Sequence, residues 1–454
     1  MKYRIVAQIL FTVLMFCLIG PPSVLAQQRT LSLQEAIELS IKNNKQLKAS
    51  EARIEQATAT VRQAEEARLP DAKVTGSYMR LNSPTVNLKI KQPGSNGGSP
   101  DSSGGTAKVS QAMYGMVNLS LPIYTGGRIR YGIESARYLE QASRLDADND
   151  REEVILNTID AFNNLYKAKS NVTIVDSSLA EARERVREYG RLEQNGLLAR
   201  NDLLKARLQE SNVELSLLDA ENNWRQANFN MNIMLGLPDS TEIIPDITAV
   251  NAVTETRTVA DFLQLALQNR KDLNALDYRK RSAETGVKST RADMYPSLAL
   301  TGGYVALNIP NALTVYNAVN IGLGLQYNFA SLWKTAKLTQ AKARVREMEA
   351  NREALSDAIR LQINQAYQNY LLSLKRIDVY NSAIAQAEEN YKVITNKFNN
   401  GLATVTDVLD ASVSRVQSQL NLAYSKTDSY VAYNRLLQTA GLINNTINQT
   451  KSNQ

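Results

Sequence analysis

One short turn sequence occurs twice in this chain, each time between two long helical patterns. The second copy reads Asn399-Asn400-Gly401-Leu402-Ala403-Thr404-Val405-Thr406-Asp407-Val408-Leu409-Asp410, and a weaker first copy reads Asn195-Gly196-Leu197-Leu198-Ala199-Arg200-Asn201-Asp202-Leu203-Leu204. Before the second, apolar or aromatic residues fall at Ile377, Tyr380, Ile384, Ala387, Tyr391, Ile394 and Phe398. Alternating steps of three and four are the seam of a coiled coil. Val172, Val175, Leu179, Ala182, Val186 and Tyr189 repeat that seam, and one shift of 205 residues superposes the two, carrying Gly196 to Gly401 and Asp202 to Asp407. A helical hairpin has been duplicated within the chain. The return seam is Leu409, Val413, Val416, Leu420 and Ala423, mirrored by Leu204, Leu208, Ser211, Leu215 and Leu218, with Gly236 and Gly441 placed as helix C-caps.

The duplication reaches further upstream. Leu31 to Leu69 is helical by pattern and stops at Pro70, and the same segment recurs from Val259 to Met294 before Pro296, at a shift of 226 that also carries Gly76 and Tyr78 to Gly302 and Tyr304. The change of shift from 226 to 205 locates an insertion of 21 residues in the first half, where Lys91 to Gly105 is a Gly- and Ser-rich loop. Around it the period becomes two. Val117, Leu119, Leu121 and Ile123 alternate with Asn118, Ser120 and Pro122, and Ile321, Leu323, Leu325, Tyr327 and Phe329 alternate with Gly322, Gly324, Gln326 and Asn328. Leu298, Leu300, Gly302 and Tyr304 form the partner strand across a loop from Asn308 to Val319, so each half carries one hairpin, near residues 71–124 and 297–329. The expected layout is a signal segment at 1–26, a first repeat at 27–236, a linker at 237–257, a second repeat at 258–443 and a polar tail at 444–454.

Alternation of this kind ordinarily marks a sheet half-buried on a globular core. Here the flanking sequence is helix tens of residues long, running without Gly or Pro from Ile133 to Tyr189 and with the same character from Leu332 to Asn400. Such helices extend roughly 85 to 105 Å and leave nothing compact to cover the apolar face. Lipid can cover it, and tyrosines at 78, 114, 124, 304 and 327, with Trp333, suit interfacial girdles. Four strands cannot close a barrel, for which about eight is the minimum, and an open edge is not tolerated in lipid. The chain must then oligomerise: two copies would supply eight strands and three would supply twelve.

Lys2 and Arg4, an apolar run from Ile9 to Ile19, and Val24-Leu25-Ala26 read as a secretory signal ending at Ala26, before Gln27. Cys17, the only cysteine, lies inside it behind a bulky Phe16, which does not suit a lipoprotein cleavage box. Without a mature thiol, disulfides, zinc-thiolate sites and cysteine nucleophiles are excluded. The sequence contains no histidine, the commonest general base and transition-metal ligand. No phosphate loop or nucleophile elbow stands out, so no cofactor is expected and an enzyme is disfavoured. The formal charge of +7 is mild and its basic residues are interleaved with Glu and Asp, which argues against nucleic-acid binding. A passive duct and a non-conducting coiled-coil tether remain, and the alternating strands favour the duct.

The repeat, the Gly-Leu-x-x-x-x-Asp-x-Leu turns, Leu121-Pro122-Ile123-Tyr124-Thr125-Gly126-Gly127 and the signal segment together resemble the TolC family of outer-membrane efflux proteins. The resemblance implies a mainly α fold with a membrane β-barrel. Long antiparallel coiled-coil helices would form a periplasmic α-barrel, and four strands per protomer would complete a twelve-stranded barrel in a homotrimer. It implies a periplasmic adaptor (membrane fusion) protein and an inner-membrane pump of RND, ABC or MFS type as partners, besides outer-membrane lipid. Gly196, Leu197, Gly401 and Leu402 match the adaptor-docking turns, and Asp407 and Asp410 match two aspartates that narrow the periplasmic entrance, with Asp202 matching a carboxylate of its latch. In the family an arginine just after the second turn's glycine completes that latch. Here Ala403 stands there, so the latch must differ, with Arg200 as a candidate.

Overall fold

The computed structural model describes residues 28–82, 84–86, 107–246, 256–310, 313–329, 333 and 335–444. The signal segment, the whole of the Gly- and Ser-rich loop from Lys91 to Gly105 and the tail beyond 444 lie outside the described residues. Along the chain come β1 (Gln28–Ser32), α1 (Leu33–Asn43), α2 (Lys45–Glu66), β2 (Asp71–Arg80), β3 (Thr85–Val86), β4 (Ala107–Lys108), β5 (Gln111–Tyr124), α3 (Arg128–Gln194) and α4 (Arg200–Leu235). Next are β6 (Glu242–Asp246), α5 (Val259–Asn269), α6 (Lys271–Ala292), β7 (Ser297–Ile309), β8 (Leu313–Gln326), α7 (Ala336–Asn399) and α8 (Val405–Thr439). The chain divides into two compact units.

The first unit gathers the described parts of Met1–Glu51, Asp146–Leu273 and Leu355–Gln454. Its core is built twice, as a duplicated sequence requires. One cluster joins Leu31, Ile155, Phe162, Leu165, Met231, Leu235 and Ile243, and a second joins Phe262, Leu273, Ile359, Ile363, Tyr370 and Leu436. Met231 and Leu436 are equivalent at the shift of 205, and each is fully buried. The upstream segment that reads as one continuous helix is two in each half, broken at Asn44 and at Arg270, which are equivalent at 226 and leave helical geometry at ψ 125° and 124°. The Asn44 side chain caps α2, its Oδ1 accepting the Gln46 N–H at 2.8 Å. Two strands have no counterpart in the sequence reading: β1, and β6 inside the expected linker, which pair in parallel from Gln28↔Glu242 to Ser32↔Asp246.

All four long-helix ends at a Gly-Leu pair use one device. Gly196, Gly236, Gly401 and Gly441 have φ of 71°, 67°, 73° and 70°, where a side chain would be strained. The leucine N–H after each glycine reaches back along the helix, Leu197 to Leu192, Leu237 to Asn232, Leu402 to Lys397 and Leu442 to Leu437, at 2.8 to 2.9 Å. This Schellman closure satisfies carbonyls that the helix end would leave unpaired.

The second unit, Ala52–Leu145 with Asn274–Ala354, holds the strands. β2, β5, β7 and β8 form one antiparallel sheet in that order, so the hairpins of the two halves join through β5 and β7, which local pattern could not show. β3 and β4 add a short antiparallel pair within the first hairpin. Register sorts the faces. Val74 opposes Val117, Val117 opposes Tyr304 and Tyr304 opposes Val319, while Leu300 sits between Leu121 and Leu323. That apolar face is uncovered, with Val74 77%, Ile321 82% and Leu325 73% exposed. The other face carries Thr75, Asn118, Ser120, Thr301, Asn320 and Gly322. Gly303 on that face admits no side chain, because a Cβ would lie 2.6 Å from the Val117 carbonyl.

One sequence expectation needs correction. The segment read as a loop from Asn308 to Val319 is mostly strand, since β7 runs to Ile309 and β8 begins at Leu313. Thr314, Val315 and Tyr316 favour the extended chain, and Asn317, at φ 55°, absorbs the irregularity opposite Val305 and Leu307. Conversely, Tyr327 and Phe329 fall just beyond β8, stacked edge to face at 4.6 Å.

Candidate functional site

The turn ends of the α3–α4 and α7–α8 hairpins come together in the first unit. Tyr189, Leu203, Ala206, Val405 and Leu409 form a small core there, flanked by Val186, Leu192, Leu198 and Phe398. Tyr189 and Phe398 stack at 5.3 Å, and burial pushes the Tyr189 phenol up to about 12. The turns therefore dock on each other through Val186, Tyr189, Phe398 and Leu409 of the seams read from the sequence, but on α4 through Leu203 and Ala206 instead; the return seam read there is not buried within the chain, with Leu204, Leu208, Leu215 and Leu218 52 to 64% exposed. Outside this core the leucines of the two Gly-Leu turns are bare: Leu197 is 75% exposed and Leu402 is 77% exposed.

Asp407 and Asp410 lie on α8. Val405, Val408, Leu409 and Ser412 turn inward on that helix, which leaves both carboxylates on the opposite, exposed face, one turn apart. Asp407 also works locally. Its Oδ2 accepts the Thr404 backbone N–H at 2.8 Å and the Thr404 hydroxyl at 2.7 Å, while the Asp407 N–H donates to Thr404 Oγ1 at 3.2 Å. This capping box holds the Asp407 carboxyl below the usual carboxylate range, first through the backbone bond and then through the hydroxyl.

The first turn differs. Ala199 stands at the cap position of α4 and offers no side-chain bond, and Asp202, half-buried, pairs with Lys205 at 3.1 Å rather than with Arg200, which is exposed. Lys205 Nζ also donates to Thr406 Oγ1 at 3.4 Å and so links one turn to the other. Sequence reasoning missed Lys205 and Thr404. The second was findable, since Thr404-Val405-Thr406-Asp407 has the Ser/Thr-x-x-acid spacing of a capping box; Lys205 was not, because its partner Thr406 is 201 residues away. Among the described residues no group of three or more acidic, His or Cys side chains could hold a metal ion, and no helix is long and apolar enough to cross a membrane.

This arrangement, paired helical hairpins with a sheet apolar on one exposed face, defines a class. The family model described as outer membrane efflux protein matches residues 36–237 and 262–442, and the chain belongs to that family. Among curated proteins it is similar to the outer membrane efflux protein BepC of Brucella suis, 22% identical over 425 residues that cover 92% of this chain and 88% of BepC. Among solved structures it resembles the outer membrane protein VceC of Vibrio cholerae, with TM-score 0.73 at 20% identity over 90% of this chain and 96% of that one. The Campylobacter jejuni CmeC outer membrane channel gives 0.72 at 18% identity over 90% and 86%. The likeness drawn from the turns and the repeat is thereby confirmed at the level of family.

Proposed function

We propose that three copies of this chain form a passive exit duct, a twelve-stranded barrel in the outer membrane joined to a helical barrel across the periplasm. The observation that carries this reading is the four-stranded sheet, apolar and exposed on one face, polar on the other, with β2 and β8 at its edges. Lipid accounts for the apolar face, and pairing of β2 in one copy with β8 in the next removes the open edges. A tether has no use for such a sheet.

The duct performs no catalysis and binds no cofactor. It serves a tripartite efflux or type I secretion system, passing small molecules or polypeptides driven by an inner-membrane pump of RND, ABC or MFS type through a periplasmic adaptor. The turns at Gly196, Leu197, Gly401 and Leu402 are the adaptor's handles, supported by the exposure of both leucines. Asp407 and Asp410 line the periplasmic entrance as two stacked carboxylate rings, and Asp202 belongs to its latch through Lys205. Mass measurement of the purified protein in detergent tests the assembly. Three copies are expected, and a stable monomer overturns the barrel.

A further inference from the structure

The charge of the chain is divided between its two units. Residues 52–145 and 274–354, which hold the sheet, carry 23 Lys and Arg against 13 Asp and Glu, a net +10, whereas the rest of the chain beyond residue 26 carries 27 against 32, a net −5. The basic excess includes a group at one end of the sheet, where β2 starts at Asp71, β5 ends at Tyr124, β7 starts at Ser297 and β8 ends at Gln326. The adjoining helix segments carry Arg130 on α3, Lys288 and Arg291 on α6 and Lys342 on α7, all exposed and, among the described residues, in no ion pair. Helix stability does not call for cations at the two helix starts. A helix start favours acids, and α1, α4, α5, α6 and α8 each place one in the first turn, whereas α3 places Arg128 and Arg130 there and α7 places Lys337.

The cations lie on two sides. Ser297 and Gln326 oppose each other on the polar face of the sheet and, with Arg128, Thr290, Asp293 and Lys337, line a cavity of about 370 Å³. Arg130, Lys288 and Lys342 face away from it. Arg130 and Lys288 each lie two residues from a cavity residue, Arg128 and Thr290, and Lys342 lies five from Lys337, which turns each of them by roughly 140 to 160° around its helix. That is the side of the apolar sheet face. Tyr124, opposite Leu298, and Trp333 are exposed at the same end. Amphipathic rings beside unpaired cations are the side chains that suit the headgroup zone of a bilayer.

We propose that Arg130, Lys288, Arg291 and Lys342 form a collar that binds the headgroups of anionic phospholipids at the membrane surface nearest the helices. The inference rests on the duct reading, which sets lipid against the apolar face. Each cation near such a surface is worth about fivefold in affinity, and salt weakens the effect. Native mass spectrometry of the assembled full-length protein, titrated with phosphatidylglycerol and with phosphatidylcholine, tests it. Wild type should bind phosphatidylglycerol about tenfold more tightly. Arg130→Gln with Lys288→Gln and Lys342→Gln should bring the two lipids nearly level at unchanged assembly, while Lys337→Gln, on the cavity side, should leave the preference as it is. Equal binding of the two lipids by wild type overturns the collar and leaves the duct standing. So does a preference that survives the triple substitution, or one that Lys337→Gln removes, which would place the anion in the cavity. Should the triple variant fail to assemble, a wild-type preference unmoved between low and high sodium chloride overturns the collar equally. Retention of neither lipid by any assembled form refutes lipid contact at the sheet, and the duct and the collar fall together.

Discussion

Replacing Leu323 by Arg asks what lies against the apolar face of the sheet. Leu323 is 67% exposed within the chain, faces Leu300 across the strands and shares its side with Ile321 and Leu325. Against water, a charge at so exposed a position should change stability by no more than about 0.5 kcal/mol. Against lipid near the midplane it should cost roughly 2 to 4 kcal/mol. The two expectations do not overlap. Urea unfolding in phospholipid vesicles, followed by the loss of sheet circular dichroism, gives the midpoint shift at constant slope. Gly322→Ser is the control from the other face, where an added Cβ meets nothing within 4 Å; its effect should stay small. Leu323→Arg indistinguishable from wild type would refute lipid contact at this strand.

Leu197→Glu with Leu402→Glu should abolish export while leaving assembly intact, measured as substrate release from cells beside mass in detergent; lost assembly would make the leucines core residues. Thr404→Ala removes the cap of α8 and should cost about 1 kcal/mol in thermal unfolding, whereas Ala199→Thr should gain some of that at α4, whose cap position lacks a side-chain bond. Glu152 on α3 is 2% exposed and accepts the Asn444 amide at 3.0 Å, and burial pushes its carboxyl up from 4.5 to about 7 against the opposing pull of Lys271. The folded state thus binds this proton more tightly than the unfolded, so the group's contribution is best below pH 4.5 and worsens as pH rises to about 7. Glu152→Gln should therefore stabilise the protein by up to roughly 3 kcal/mol at pH above about 7 and be neutral near pH 4, by denaturant titration at each pH.

The parts legible in the sequence are those set by local period and by glycine. Seams such as Ile377 to Phe398 and alternation such as Ile321 to Leu325 each carry their element within a few residues of its end, and the Gly-Leu pairs mark helix ends because the left-handed closure is local. What escaped depends on residues far apart. Five-residue β1 has no signal of its own, since its partner β6 lies 214 residues away at Gln28↔Glu242. The start of β8 was hidden by Asn317, whose αL tolerance suggests a turn although here it forms an irregularity within the strand. Asp407 and Asp410 were findable as a pair, and so was the cap that Asp407 makes with Thr404 three residues before it, whereas the bond from Lys205 to Thr406 emerges only once α4 and α8 are placed side by side.

The central claim, a conducting duct with an acidic periplasmic entrance, is tested most directly by ion current through the protein in a planar bilayer. Three copies of Asp407 and Asp410 would crowd six carboxylates into one aperture, where mutual repulsion makes the rings attract and hold cations. Cation-selective current is expected, blocked by a trivalent cation added from the periplasmic side, with both the block and the selectivity weakened by Asp407→Asn with Asp410→Asn at unchanged assembly. Absence of current, or a current whose selectivity and block survive the double substitution, would contradict it.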